Sequence, residues 1–525
     1  MQHYRSVVKI YTTALQPSYR EAWRSAGILQ HSGSGFILNY KNKLYLITNA
    51  HTVNNSTFIQ VKLADAEFPT KYEAQLVTLG IDCDLAILEV KDPEFLKTIE
   101  PLTLATQRNE TGDKVKVFGF PAGGEECCQT EGIVSRSDWG TYAFSKHALL
   151  TTSIDAKISP GSSGGPVINQ DNQVIGVVHQ GSPDGKILGQ IVPLNIIMHF
   201  LEDSTKNPRY IGFPFFNVVL QAMDNHNLRA FYGMQDKQSG ILVITIPDFS
   251  IAQCLLQEHD VLLEINGIPI SNLGKINIKP DFDTPVDFRV LIQQAYIGDK
   301  INFKVMRNKQ EIQIDILLTK PLGSDRLIPL QLNEAIPAYI EHSGMILQPL
   351  TRNYMNTFYN KETESSNSPP ALEKYTYQSN STEFTQKNRR SIIFIRAILQ
   401  HAETQGYNVF NNTIIAKING REISTLWSAW HALNDNQGDT HIIETENNHI
   451  FVLKNLPPEA NEQLRKTYQI PAQTSPQFID TKRWSLFMQN FKQQQKVQRF
   501  AKAKMDLHEV DEQQEQNNLN NISLL

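Results

Sequence analysis

The chain has 525 residues, 40% of them apolar and 20% charged, with Lys+Arg 49 against Asp+Glu 54 and a net charge of −5. At roughly 100–200 residues per domain this length predicts three or four domains, and the balanced charge excludes a chain-wide basic footprint for nucleic acid. Four cysteines, with Cys127 and Cys128 adjacent, do not make a disulfide framework, so reduced thiols are expected.

The N-terminal stretch MQHYRSVVKIYTTALQ has no apolar core and no small-residue cleavage site, so it does not read as a secretory signal. A cytoplasmic protein, one exported without an N-terminal signal, or a trimmed periplasmic form is expected. No run of about 18 apolar residues occurs, so no membrane span is expected. Residues 1–204 are dense in short β-branched or aromatic runs: Val7–Thr13, Gly35–Leu38, Leu44–Thr48, Thr57–Leu63, Leu85–Val90, Val115–Phe118, Val174–Val178 and Gly189–Pro193. Gly, Asn, Asp and Pro punctuate them, which predicts an all-β barrel or sandwich. Ile196–Leu201 reads as a closing helix before Asn207–Pro208. Beyond it, Gly240–Ile246, Asp260–Ile265, a helix over Val286–Ala295, and a Lys300–Arg307/Glu311–Leu318 hairpin turning at Asn308–Lys309 are predicted. EINGIPI and KINGREI, each a strand entering an Asn-Gly turn, read as two copies of one unit. Residues 359–390 are polar and Pro-containing, which predicts a flexible insertion. From Lys482 the chain turns helical and polar, then ends in an expected disordered tail.

Three segments of the first third carry chemistry. Ile47–Ala50 delivers His51 just past a hydrophobic strand. Asp84 opens the apolar run Leu85–Leu88. Ser163 sits in the glycine-rich turn PGSSGGPV. A serine hydroxyl is a weak nucleophile that needs an adjacent base. His51 is suited to take its proton, and a buried Asp84 to hold the imidazole in the required tautomer. Glycines around the serine let backbone N–H groups converge on one point, as an oxyanion hole requires. Each residue alone reads more simply as a turn, cap or loop residue; their occurrence together in the order His, Asp, Ser matches one of the three known triad orders. No HExxH, CxxC pair or EF-hand loop is present, and Gly181–Lys186 is one residue short of a P-loop. No metal or cofactor is therefore expected, and the chemistry of this serine needs no ATP.

TNAH, DLAIL and GSSGGP resemble the triad motifs of the HtrA/Deg serine proteases, a chymotrypsin-fold family carrying PDZ domains. KYEAQLVTLGIDCDLAILEV, GFPAGG, EGIVSR and VIGVVHQG extend that resemblance. Over residues 6–475 the chain looks most like the plant-type Deg branch, in which a PDZ domain precedes a degenerate PDZ-like one. The resemblance implies a mainly β chain: a chymotrypsin-like double β-barrel protease domain, then two PDZ or PDZ-like α+β domains. The expected boundaries are 1–204 for the protease, 205–322 for the first PDZ domain, 323–458 for the second, and 459–525 for a C-terminal extension.

Residue by residue, it implies Ser163 as nucleophile, His51 as general base, Asp84 as orienting acid with Asp82 as its rival, and the N–H groups of Gly161 and Ser163 as oxyanion donors. Ser162 stands where the family usually has Asn or Asp. Ile158, His179 and Gln180 are expected to line the substrate pocket, with Ile158 suggesting a small or aliphatic side chain. Tyr210, Ile211, Gly212 and Phe213 match the place of the PDZ carboxylate loop, where successive N–H groups can hold a peptide C-terminus. The second unit has only Gly344–Leu347 as a candidate loop, so a scaffold role is expected there. Protein or peptide substrates and a homo-oligomer, a trimer or a multiple of trimers, are implied. A non-catalytic PDZ scaffold or chaperone of protease ancestry is the competing reading, and the intact His51, Asp84 and Ser163 weigh against it.

Overall fold

The computed structural model describes residues 5–479, apart from 65–69, 98, 108, 181–187, 248–249, 253–254, 280–281, 283, 322–326, 331–335, 361–364, 378–388 and 390. Six strands close the first barrel: β1 (Val7–Pro17), β2 (Ser25–Tyr40), β3 (Lys43–Thr48), β4 (Ser56–Leu63), β5 (Lys71–Gly80) and β6 (Leu85–Val90), paired in the order β1-β4-β5-β6-β3-β2 and back to β1. Alternation drives the closure, because successive side chains point to opposite faces. Val8 and Ile10 fill the barrel with Leu46, Val61 and Leu88. Val7 turns the other way, into the layer between the barrels. A short β7 (Leu102–Thr103) adds parallel to β2.

The second barrel is closed by β8 (Lys114–Gly119), β9 (Cys128–Thr141), β10 (Ala148–Ile154), β11 (Pro166–Ile168), β12 (Val174–Gln180) and β13 (Gly189–Pro193). Val115, Val134, Val167 and Ile191 fill it. The helix Leu194–Lys206 follows, longer at both ends than predicted. The core between the barrels, with Phe36, Ile47, Leu85 and Phe118, continues through Phe200 of that helix into Phe213, Phe288 and Phe303. The barrels and the next unit therefore share one apolar interior.

That next unit pairs Val219–Gln221, Ile241–Thr245, Val261–Ile265, Lys300–Arg307 and Gln310–Leu317 in one sheet. Its predicted hairpin turns at Asn308 and Lys309, both at positive φ, as a two-residue turn matching strand twist requires. The second unit carries Ile340–His342, Met345–Pro349, Ile393–Ile398, Thr413–Ile418, Thr440–Thr445 and Ile450–Lys454, with the helix Leu426–Asn434. The two Asn-Gly turns, Asn266–Gly267 and Asn419–Gly420, sit at corresponding places after the third and fourth strands of their sheets.

Two expectations differ from the structure. Inside 359–390, Pro370–Tyr377 is a helix whose Leu372 and Tyr375 are buried; these few apolar residues are spaced to share one face and suffice to dock it. The second unit continues past residue 458, since the helix Pro458–Thr467 buries Leu464 and Thr474 bridges to Ile340. The β1–β2 hairpin reaches that unit: Trp23 meets Tyr339 edge-on at 5.9 Å and an Arg20 guanidinium nitrogen donates to the Thr357 carbonyl at 2.7 Å. The helix predicted from Lys482 and the tail lie outside the described residues.

Candidate active site

Asp84 ends the turn leading into β6 at φ 55 and is fully buried. Its Oδ1 accepts the His51 backbone N–H at 2.8 Å and its Oδ2 accepts His51 Nδ1–H at 2.7 Å. Its carbonyl accepts from the Asn49 amide at 2.9 Å. Asn49 and His51 flank Ala50 where β3 hands over to one helical turn, so the strand end and the acid turn are tied at three points. The His51 side chain keeps 33% of its surface exposed, so the ring is pinned on its Nδ1 edge. Burial alone would push Asp84 up, but the His51 charge and the His179 hydrogen bond outweigh it and hold the carboxyl at about 2. For His51 burial pulls down, and the charge and hydrogen bond of Asp84 outweigh that and raise it.

Ser163 lies between two glycines at positive φ, Gly161 (96°) and Gly164 (86°). A Cβ at Gly164 would fall 2.1 Å from the Ser34 carbonyl oxygen and 3.1 Å from Asn49 N. Only glycine lets the turn press this closely on the strand end that leads to His51. The Ser163 carbonyl accepts from Ser34 N–H at 2.9 Å, and Gly164 and Gly165 pair with Val178 of β12. Among the described residues, neither the Gly161 nor the Ser163 N–H meets an acceptor, which leaves both free for an anionic oxygen.

Ser34 is a brace that sequence reasoning missed. Its Oγ donates to the Gly161 carbonyl at 2.7 Å and accepts Phe120 N–H at 2.9 Å. Its carbonyl accepts from Thr48 Oγ1 at 2.8 Å. One buried serine thus joins the nucleophile turn, the Phe120 segment and the end of β3. Nothing in its sequence neighbourhood signals this, because most of its partners are backbone groups distant in sequence.

The residues expected to line the pocket separate. Ile158 is half-buried and lies against Gly189, where a Cβ would come 2.4 Å from its Cδ1. Gln180 ends β12 opposite Gln190. His179 is turned inward instead: its side chain is 2% exposed, Nδ1 lies 2.7 Å from Asp84 Oδ2, and the ring packs 4.3 Å from Tyr142. It is a partner of the acid rather than a wall of the pocket. Asp82, the rival acid, makes no contact with His51; it accepts from Tyr210 OH at 2.8 Å and Phe213 N–H at 2.9 Å. Ile211 and Gly212 N–H both donate to Asp203 Oδ2 at 2.8 Å. In the second unit, Ser343 and Gly344 N–H donate to Asn461 and Glu341 side chains.

A family model described as a trypsin-like peptidase domain matches residues 33–177, and one described as a PDZ domain matches 328–477. Putative protease Do-like 13 of Arabidopsis thaliana is 33% identical over 349 residues, 66% of this chain and 69% of that protein. The chain belongs to the Do-like, or HtrA/Deg, serine protease family. Protease Do-like 2, chloroplastic, of the same plant is 29% identical over 478 residues, 90% of this chain and 75% of that protein. A solved HtrA-type protease, AlgW with a decapeptide, covers 61% of this chain and 96% of its own at 22% identity and a TM-score of 0.45. This HtrA/Deg protease is a serine endopeptidase with PDZ regulation. Among the described residues no helix is long and apolar enough to cross a membrane, and no group of His, Cys, Asp and Glu is placed to hold a metal ion.

Proposed function

We propose that Ser163, His51 and Asp84 are the triad of this endopeptidase. The observation that carries this is the two-point grip of Asp84 on His51, through the backbone N–H and through Nδ1. With Nδ1–H committed to Asp84, Nε2 carries the lone pair. Ser163 Oγ attacks the scissile carbonyl as its proton passes to His51 Nε2. The oxyanion takes hydrogen bonds from Gly161 and Ser163 N–H. His51 then returns the proton to the leaving amine, an acyl-Ser163 ester forms, and water activated by His51 hydrolyses it.

Substrates are protein chains in an extended, accessible state, misfolded or regulatory, with a small or aliphatic residue facing Ile158. The family pattern supports a trimer or a multiple of trimers, which light scattering at micromolar concentration tests. The chemistry is tested with a fluorophosphonate probe and casein. Ser163 should be labelled, and Ser163→Ala should lose cleavage by roughly 10⁵–10⁶-fold with the fold intact. If Ser163→Ala kept more than a few per cent of activity while Ser162→Ala lost it, the nucleophile would be misassigned.

A further inference from the structure

The Tyr210–Phe213 loop presents successive N–H groups in the pattern that captures a carboxylate. The N–H groups of Ile211, Gly212 and Phe213 are already in use. Ile211 and Gly212 N–H meet Asp203 Oδ2 at 2.8 Å each, and Phe213 N–H meets Asp82 Oδ2 at 2.9 Å. Both acids are buried, and both belong to the protease half of the chain. Asp203 stands in the last turns of the helix Leu194–Lys206. A carboxylate there opposes the helix dipole, and the two loop N–H groups compensate it. Gly212 sits at φ 102, and a Cβ on it would come 2.7 Å from Asp82 Oδ2. The loop is shaped around these acids.

Asp82 is two residues from Asp84, in the same turn. Its Oδ1 also accepts Tyr210 OH at 2.8 Å and Cys83 N–H at 3.0 Å, and its carbonyl accepts Ser145 Oγ at 3.0 Å. Asp84 holds a positive φ without being glycine, a conformation that persists only where surroundings over-determine it. The direct bond inside the turn, Asp84 N–H to the Ile81 carbonyl, is long at 3.3 Å. The Asp82 side chain therefore grips the turn alongside the bonds that Ser145 and Asn49 make to the Asp82 and Asp84 carbonyls.

We propose that the carboxylate loop of the first appended domain is permanently filled by Asp203 and Asp82, and that Asp82 is a positioning residue through which this loop holds Asp84. The domain is then a fixed part of the protease site and not a receptor for free peptide C-termini. A peptide carboxylate could enter only by stripping a buried acid of its donors. This rests on Asp84 being the orienting acid.

The test uses the full chain. A fluorescein-labelled peptide ending in a free-carboxylate valine and its C-terminal amide are titrated by anisotropy, and turnover of a small chromogenic peptide is measured alongside. The wild type should show no preference for the free carboxylate. Tyr210→Phe removes one donor to Asp82 and should lower kcat about three- to tenfold with KM within about twofold. Asp82→Ala should lower kcat further, about ten- to a hundredfold, and Asp82→Asn should recover part of it because its amide oxygen still accepts. Carboxylate-dependent binding by the wild type overturns the proposal, and so does wild-type kcat in Tyr210→Phe together with Asp82→Ala. Asp84→Asn separates this from the triad reading. Full activity there would sink the triad, whereas an inactive Asp84→Asn beside a fully active Asp82→Ala sinks only the loop's role.

Discussion

His179 Nδ1 and His51 Nδ1 converge on the same oxygen, Asp84 Oδ2, at 2.7 Å each. The other oxygen takes the His51 N–H. A carboxylate oxygen has room for two donors, so the acid is held from both sides and cannot rotate without breaking a bond. Removing His179 leaves Asp84 buried with one donor fewer, a loss of about 1–3 kcal/mol. His179→Ala should therefore lower kcat roughly five- to a hundredfold with little change in KM. His179→Gln, which keeps an N–H donor, should recover part of it. Equal losses in kcat for both variants would show that the N–H donated to Asp84 is not what His179 contributes.

The pH profile follows from the same carboxylate. His51 must be neutral at Nε2 to accept the Ser163 proton, and Asp84 raises its pKa above the ordinary value of 6.5. Activity should rise with pH through that elevated value. Asp84, held at about 2, stays ionised and adds no second limb in the neutral range. In Asp84→Asn the raising influence is gone and burial remains, so the acid limb of kcat/KM should move to lower pH. Its height should fall by about 10⁴ because the tautomer is no longer enforced. A residual activity whose limb does not move would contradict this origin of the His51 shift.

Ser34 offers a different test, because it touches none of the three reactive side chains. Ser34→Ala leaves Phe120 N–H buried without its acceptor and frees the Gly161 carbonyl. The Gly161–Ser162 peptide can then turn, which loosens the turn that aims the Gly161 and Ser163 N–H groups at the oxyanion. A drop of about ten- to a hundredfold in kcat is expected, as for loss of an oxyanion contact softened by partial relaxation. Fluorophosphonate labelling should slow in parallel. Unchanged labelling would place the role of Ser34 in stability alone.

What was legible in the sequence was the short β-branched and aromatic runs, and the three local motifs that carry His51, Asp84 and Ser163. Val7–Thr13, Leu44–Thr48 and Leu85–Val90 are short runs of β-branched, aromatic and aliphatic residues and form strands at those places. Lys71–Gly80 and Cys128–Thr141 went unseen because much of their length is exposed and polar. His179 was noticed but assigned to the wrong surface. Its neighbour Val178 lies inside the second barrel while Val177 lies between the barrels. Period-two alternation puts His179 on the side of Val177, where Asp84 is. The carboxylate loop was readable as a shape, yet its occupants come from another domain, and no local pattern announces that.

The last prediction concerns His342 and His441, a buried pair in the second appended unit whose Nε2 atoms are 3.0 Å apart. Asn419 and Asn436 amides donate to His441 Nδ1, so its proton sits on Nε2 and points at the His342 lone pair. Both rings are thereby held neutral. Burial, and secondarily the neighbouring His441, push His342 down to about 4, and burial likewise lowers His441. Unfolded histidines take up protons near pH 6.5 while these do not, so the unfolded state binds more protons as pH falls. The stability the pair contributes is present above 6.5 and is lost progressively towards 4, by roughly 1–3 kcal/mol. Glu341, buried beside them and paired with Arg465, is raised by burial and works in the opposite direction. The protection of amides in Ile340–His342 and Thr440–Thr445, taken relative to their intrinsic exchange rates at each pH, should therefore fall on acidification. In His342→Gln, which cannot charge, the pH dependence should shrink. If exchange protection in these strands is as steep in His342→Gln as in the wild type, the histidine pair is not its source.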